Sequence, residues 1–113
     1  MLQSYWDNTT NMKLEHIKLE WLNKEVKNVI SRSLDLDKYK LFYFGSRVKG
    51  QNREGSDIDI GIEGEQPLDL FLEAKIREEL ANLPTLCGVE FVDFKKVSAD
   101  FKKVAESNIE LIS

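Results

Sequence analysis

Asp57 and Asp59 stand on either side of Ile58 in "SDIDIGIEG". In an extended chain two carboxylates at i and i+2 project from one face, with Cα atoms about 6–7 Å apart. Like charges that close raise each other's pKa unless a cation sits between them. Magnesium answers that need, because it takes hard oxygen ligands, often only one or two carboxylates, and completes its shell with water and substrate phosphates. Taken alone, the alternation also fits an edge strand showing its polar side to solvent. The stretch just upstream, "FYFGSRVKG", shifts the balance. Gly45 permits close backbone approach after an aromatic strand, and Ser46 can start a short helix whose N–H groups attract phosphate. Arg47 and Lys49 add positive charge and Gly50 closes the turn. A phosphate-binding turn and a two-carboxylate metal site, joined by the loop "QNREG", would together hold a metal-bound nucleoside triphosphate. The turn lacks the glycine-lysine-serine/threonine ending of a P-loop, and it is not a dinucleotide fingerprint.

The elements that must position these residues alternate in type. From about Met12 to Leu34, the apolar residues Leu14, Ile17, Trp21, Leu22, Val26, Val29 and Ile30 recur at three- and four-residue steps, which predicts an amphipathic helix. "LFYF" is a short apolar run that suits a buried strand. In the next strand Ile58, Ile60 and Ile62 share one face while Asp57, Asp59 and Gly61 share the other. Pro67 can open a helix through "PLDLFLEAKIREELANL", with Leu70, Ile76, Leu80 and Leu83 for its inward stripe and Pro84 to stop it. "VEFVDF" is a third strand, and Ser98 can cap a last helix through "ADFKKVAESNI". The expected order is α-β-α-β-α-β-α in one α/β domain spanning residues 1–113. Residues 1–11, including Trp6, have no clear place in its core and read as a disordered end or a contact segment.

Composition narrows the field. With 42% hydrophobic and 32% charged residues over 113 positions, the chain suits one globular domain with a modest core. The start "MLQSYWDNTTNMK" contains no apolar run for a signal peptide or membrane span, so the expected location is the cytoplasm. Cys87 has no second cysteine to pair with, and with His16 alone beside it there is no zinc constellation. A net charge of −4 disfavours long nucleic acid as the main ligand. A local cluster of Arg47, Lys49 and Arg53 could still hold one compact anion such as a triphosphate.

"GSRVKGQNREGSDIDIGI" resembles the signature of the minimal nucleotidyltransferases in the DNA polymerase beta-like superfamily. The likeness extends through "VEFVDF" and "VSADFKKVAE" and covers about residues 40 to 107. It implies a mixed β-sheet flanked by α-helices, and transfer of a nucleoside monophosphate, AMP from ATP, to an acceptor hydroxyl with release of pyrophosphate. Carried over residue by residue, Gly45 and Ser46 would bind the triphosphate with Lys49 or Arg47 assisting, and Asp57 and Asp59 would bind Mg2+. The family's third carboxylate is an aspartate near the start of the third strand; the matching position here is Glu90, one methylene longer. Asp93 is the rival and a two-carboxylate site the remaining alternative, although Asp93 falls on the opposite face from Glu90 in a regular strand. Glu63 shares parity with the aspartates but lies roughly 13 Å along the strand from Asp59. The resemblance also implies a hetero-oligomer with a helical HEPN-domain protein, which the chain would neutralise as its antitoxin by nucleotidyl transfer. The alternative is a non-catalytic nucleotide-binding subunit that acts by occlusion, and a homodimer stays open.

Overall fold

The computed structural model describes residues 14, 17–51, 55–85 and 87–113. Helix α1 (Leu19–Ser31) leads through a 3-10 turn (Leu36–Lys38) into β1 (Lys40–Phe44), and α2 (Ser46–Lys49), β2 (Ile58–Glu63), α3 (Leu70–Ala81), β3 (Val89–Asp93), α4 (Ala99–Ala105) and β4 (Glu110–Leu111) follow. The strands form one sheet in the order β3-β2-β1-β4. β2 runs parallel to β3, while β1 is antiparallel to both β2 and β4. This is the mixed sheet flanked by helices that the sequence leads one to expect.

Alternation along the strands divides the core between two faces. Leu41, Tyr43, Ile58, Ile60, Ile62 and Phe91 pack under α1 and α3, against Leu22, Val26, Val29, Ile30, Ile76 and Leu80. Tyr43 anchors this layer by donating its hydroxyl to Asn23 Oδ1 at 2.7 Å. On the other face Phe42, Phe44 and Phe94 form a smaller aromatic cluster, flanked by Val92, Val97, Ala105 and Ile109. The side chain of β2 that shares this face is missing at Gly61, and its absence makes room for the rings. A Cβ there would stand 2.5 Å from Phe42 Cε2 and 2.7 Å from Phe94 Cε1.

Several boundaries differ from those expected. Among the described residues the first helix begins at Leu19, not Met12, and ends at Ser31, before Leu34. Leu14 and Ile17 still pack against the core from outside the helix, so their apolar spacing reports burial and not helix. Met12, Trp6 and His16 lie outside the described residues. α3 is opened by Asp69, whose carboxylate accepts from Phe71 N and Leu72 N, a service that Pro67 cannot perform. That start sets the helix phase so that Leu72, Ile76, Leu80 and Leu83 face the core, and Leu70 is turned out at 71% exposure. The last helix stops at Ala105, and β4 follows where the expected order has none. β4 is two residues long and has little local signature. It is held by long-range bonds, with Ile112 N donating to Leu41 O at 2.8 Å and Leu41 N to Ser113 O at 3.0 Å.

The packing at Gly61 gives a direct test of this layering. Gly61→Ala forces a methyl against two rings in a filled cluster, and such overpacking costs about 1–3 kcal/mol. Urea unfolding should show the midpoint falling by the corresponding amount with an unchanged slope.

Candidate active site

The upper end of β1 and β2 is shaped by one glycine. Gly45 follows Phe44 with φ 86° and ψ −160°, a conformation that L side chains rarely adopt, and it turns the chain straight from β1 into α2. Gly50, in the left-handed region at φ 73°, ends α2 after four residues. Between them Ser46 is half-buried, Val48 is packed into the main core and Lys49 is exposed. Arg47 turns inward, against the expectation that its charge would face a ligand. It is 2% exposed, and it donates from Nε and Nη2 to Ser56 O at 2.9 and 2.6 Å. The guanidinium therefore fastens the residue directly before Asp57. Arg53, the other member of the basic cluster, lies outside the described residues.

Beyond that clamp the two aspartates enter the sheet. Ile58 N donates to Gly88 O at 2.9 Å, so β2 starts against the segment leading into β3. Asp59 pairs in register with Phe44 on one side and Glu90 on the other, which puts Glu90 beside Asp59 on the same face of neighbouring parallel strands. Each aspartate also packs against a glycine. A Cβ at Gly45 would collide with Asp59 Oδ2, and one at Gly88 would stand 2.5 Å from Asp57 Oδ1. Gly88 was not singled out by the sequence reading; the only signal available was a glycine immediately before "VEFVDF".

The rival carboxylates are accounted for elsewhere. Asp93, buried in the opposite layer, accepts from Leu68 N at 2.8 Å and Lys95 N at 2.9 Å, tying the approach to α3 onto the end of β3. Glu63 sits at the far end of β2, paired with Lys102 and Lys95. Asp57, Asp59 and Glu90 remain as the acidic group at the turn. Among the described residues no set of three His, Cys, Asp or Glu side chains already converges in metal-holding geometry.

Electrostatics single out Asp59. Burial first, then the charges of Asp57 and Glu90, push its pKa up to about 6, with Arg47 opposing them. A carboxyl that resists ionisation, held beside two more carboxylates, is the donor set that a hard divalent cation relieves. The same shift fixes a stability consequence. Asp59 holds its proton more tightly folded than unfolded, so its ionisation penalises the fold above pH 6, and the penalty disappears as pH falls toward 4. Asp59→Asn should thus stabilise the metal-free protein by on the order of 1 kcal/mol at pH 7.5, discounted for solvent screening at a half-buried group. Thermal melts in EDTA across pH 4–8 should show that advantage shrinking to nothing at the acid end.

Known proteins resemble this chain in sequence and in fold. The family model described as "Polymerase beta, Nucleotidyltransferase" matches residues 24–113. A Haemophilus influenzae protein named "Probable protein adenylyltransferase MntA" is 33% identical over 66 residues, and the match spans 58% of this chain and 58% of that protein. A toxin–antitoxin crystal structure with AMP-PNP is 20% identical and superimposes with a TM-score of 0.67, covering 80% of this chain and 72% of that one. A complex of a tri-AMPylated Shewanella oneidensis HEPN toxin with an MNT antitoxin is 21% identical, with a TM-score of 0.56 over 80% of this chain and 71% of that one. At those identities the two structures speak to the fold, while the family match spans the turn, the aspartate strand and Glu90 together. The chain belongs to the polymerase beta nucleotidyltransferase family.

Proposed function

We propose that this chain is a nucleotidyltransferase that moves AMP from ATP to a hydroxyl of a HEPN-domain protein, and so serves as the antitoxin of that partner. The observation that carries the reading is the pairing of Asp59 with Glu90, two residues from Asp57 and directly beside the glycine–serine turn. The name of the H. influenzae relative and the AMPylated state of the S. oneidensis toxin support it. The reading takes the pair as cytoplasmic; no helix among the described residues is long and apolar enough to cross a membrane.

Each residue then has a distinct task. Gly45 and Ser46 bind the triphosphate, and the exposed Lys49 adds positive charge from the same turn. Arg47 contributes from below, holding Ser56 and through it the aspartates, so its part in nucleotide binding is indirect. Asp57, Asp59 and Glu90 would hold a divalent metal, taken as magnesium, which when bound neutralises the triphosphate and the charge building on pyrophosphate. Glu90, exposed at the edge of the group, accepts a hydrogen bond from the attacking hydroxyl and draws its proton away. The acceptor oxygen bonds to the α-phosphorus as the bond to the bridging oxygen of pyrophosphate breaks. In the metal-free protein Asp59 takes up a proton near pH 6, so proton and cation compete for it and magnesium affinity falls as pH drops below that value.

Substitutions separate chemistry from simple occlusion. Asp57→Asn and Asp59→Asn should abolish magnesium-dependent transfer of labelled AMP to the partner while leaving the fold intact. Glu90→Gln should lower transfer by roughly 100-fold at nearly unchanged nucleotide affinity, and Glu90→Asp should retain it. In cells expressing the HEPN protein, the double Asp57→Asn/Asp59→Asn variant should lose protection yet still co-purify with its partner. Full protection by that variant would replace catalysis with occlusion.

A further inference from the structure

The face of the sheet that carries the carboxylates also carries the aromatic cluster, and the two are contiguous. Phe44 lies directly across from Asp59 on β1, and such cross-strand neighbours have Cα atoms about 4.5–5.5 Å apart. Val92 lies two residues beyond Glu90 on β3, on the same face, and packs against the aromatic cluster from the other side. From both strands, then, the acidic group borders the rings.

The outermost ring of the run is Phe101 on α4. Its centroid is 6.2 Å from that of Phe44 and 5.8 Å from that of Phe94, at interplanar angles of 82° and 59°. Phe42, Phe44 and Phe94 are buried, whereas Phe101 is 42% exposed, so one ring of the run packs on the others and is partly open to solvent. Its position is fixed by its helix. Ser98 Oγ accepts from Phe101 N at 3.1 Å, and the neighbouring Lys102 reaches down to Glu63 on β2. Val104, one turn along, is exposed as well and extends the apolar surface. The main-core helices lie on the other side of the sheet, so among the described elements α4 alone brings an aromatic side chain from a helix to the carboxylate face.

We infer that Phe101, held edge-to-face with Phe44, is the platform on which the nucleobase of the triphosphate stacks. The inference rests on the reading above that the site takes a nucleoside triphosphate, and it adds the part of the site that reads the base. Phosphates held at Asp59 and the Gly45 turn place the base one ribose away, and Phe44, which pairs with Asp59 across the strands, has its ring centroid 6.2 Å from that of Phe101. A planar base lying on a half-exposed ring gains stacking contact whichever base it is, and a purine covers more of the ring than a pyrimidine. The subsite is therefore expected to favour purine over pyrimidine triphosphates modestly, without hydrogen-bond readout.

Calorimetry with two magnesium-loaded probes, ATP and inorganic tripolyphosphate, tests the assignment on the full chain. Phe101→Ala should weaken ATP by about tenfold or more and leave tripolyphosphate unchanged, because a stacked base contributes to one probe only. Phe101→Trp preserves the packing and should keep ATP affinity; its added fluorescence should be quenched by ATP and not by tripolyphosphate. Equal ATP affinity in the parent and Phe101→Ala would overturn the inference, as would an equal loss for both probes. A parent that binds tripolyphosphate as tightly as ATP would overturn it while leaving the phosphate and metal site standing. A parent that binds neither probe would remove the nucleotidyltransferase reading and this inference together.

Discussion

The half-burial of Asp59 beside two further carboxylates, Asp57 and Glu90, is the constraint on which the site end of this small protein depends. Burial of Asp59, and then the charges of Asp57 and Glu90 beside it, raise the energy of its ionised form in the metal-free fold, and its pKa, pushed up to about 6, records that cost. What holds them is the strength of the strand beneath. β2 has neighbours on both sides, and its inward residues Ile58, Ile60 and Ile62 are fully buried. Arg47 secures the approach to that strand through Ser56, with its charge placed where it offsets part of the repulsion on Asp59. The backbone of β2 and its register with β3 set where these carboxylates stand, and under the proposed function a cation would draw their side chains into a common shell.

Much of this was legible in the sequence where the signal is local and periodic. The alternation in "SDIDIGIEG" assigned both faces of β2, and the family resemblance picked out Glu90, with strand parity putting its rival Asp93 on the opposite face. Ser98 was readable as a cap because its side chain bonds three residues on. The features that escaped depend on contacts between distant parts of the chain. β4 exists only because residues 110–113 meet Leu41. Nothing near Arg47 says whether its guanidinium faces a phosphate or the Ser56 carbonyl. Leu70 and Leu72 are equally apolar, and the choice between them is made by Asp69, which sets where α3 begins.

The two faces of the sheet divide the work. One is an aliphatic layer between the strands and helices α1 and α3, with Asp93 as a buried tie that keeps the start of α3 in place. The other is thinner and aromatic, and charges occupy both of its ends: Glu63 with Lys95 and Lys102 at one, the three carboxylates at the other. Among the described residues the first end carries ion pairs with two lysines, whereas at the second Arg47 offsets part of the charge on Asp59. That asymmetry separates the structural acidic residues from those available to a ligand.

The two glycines that touch the aspartates carry different evolutionary histories in prospect. Gly45 is constrained twice, by its positive φ and by the carboxylate of Asp59, so it would be retained even in a descendant that had lost that aspartate. At Gly88 no positive φ adds to the constraint, and the nearest atoms to an added Cβ belong to the carboxylate of Asp57. In a lineage where the chemistry decayed and only partner binding was selected, position 88 would be free to drift as soon as position 57 did. Paired change at 57 and 88, with Gly45 kept, would be the mark left in a sequence by an ancestral active site that had fallen silent.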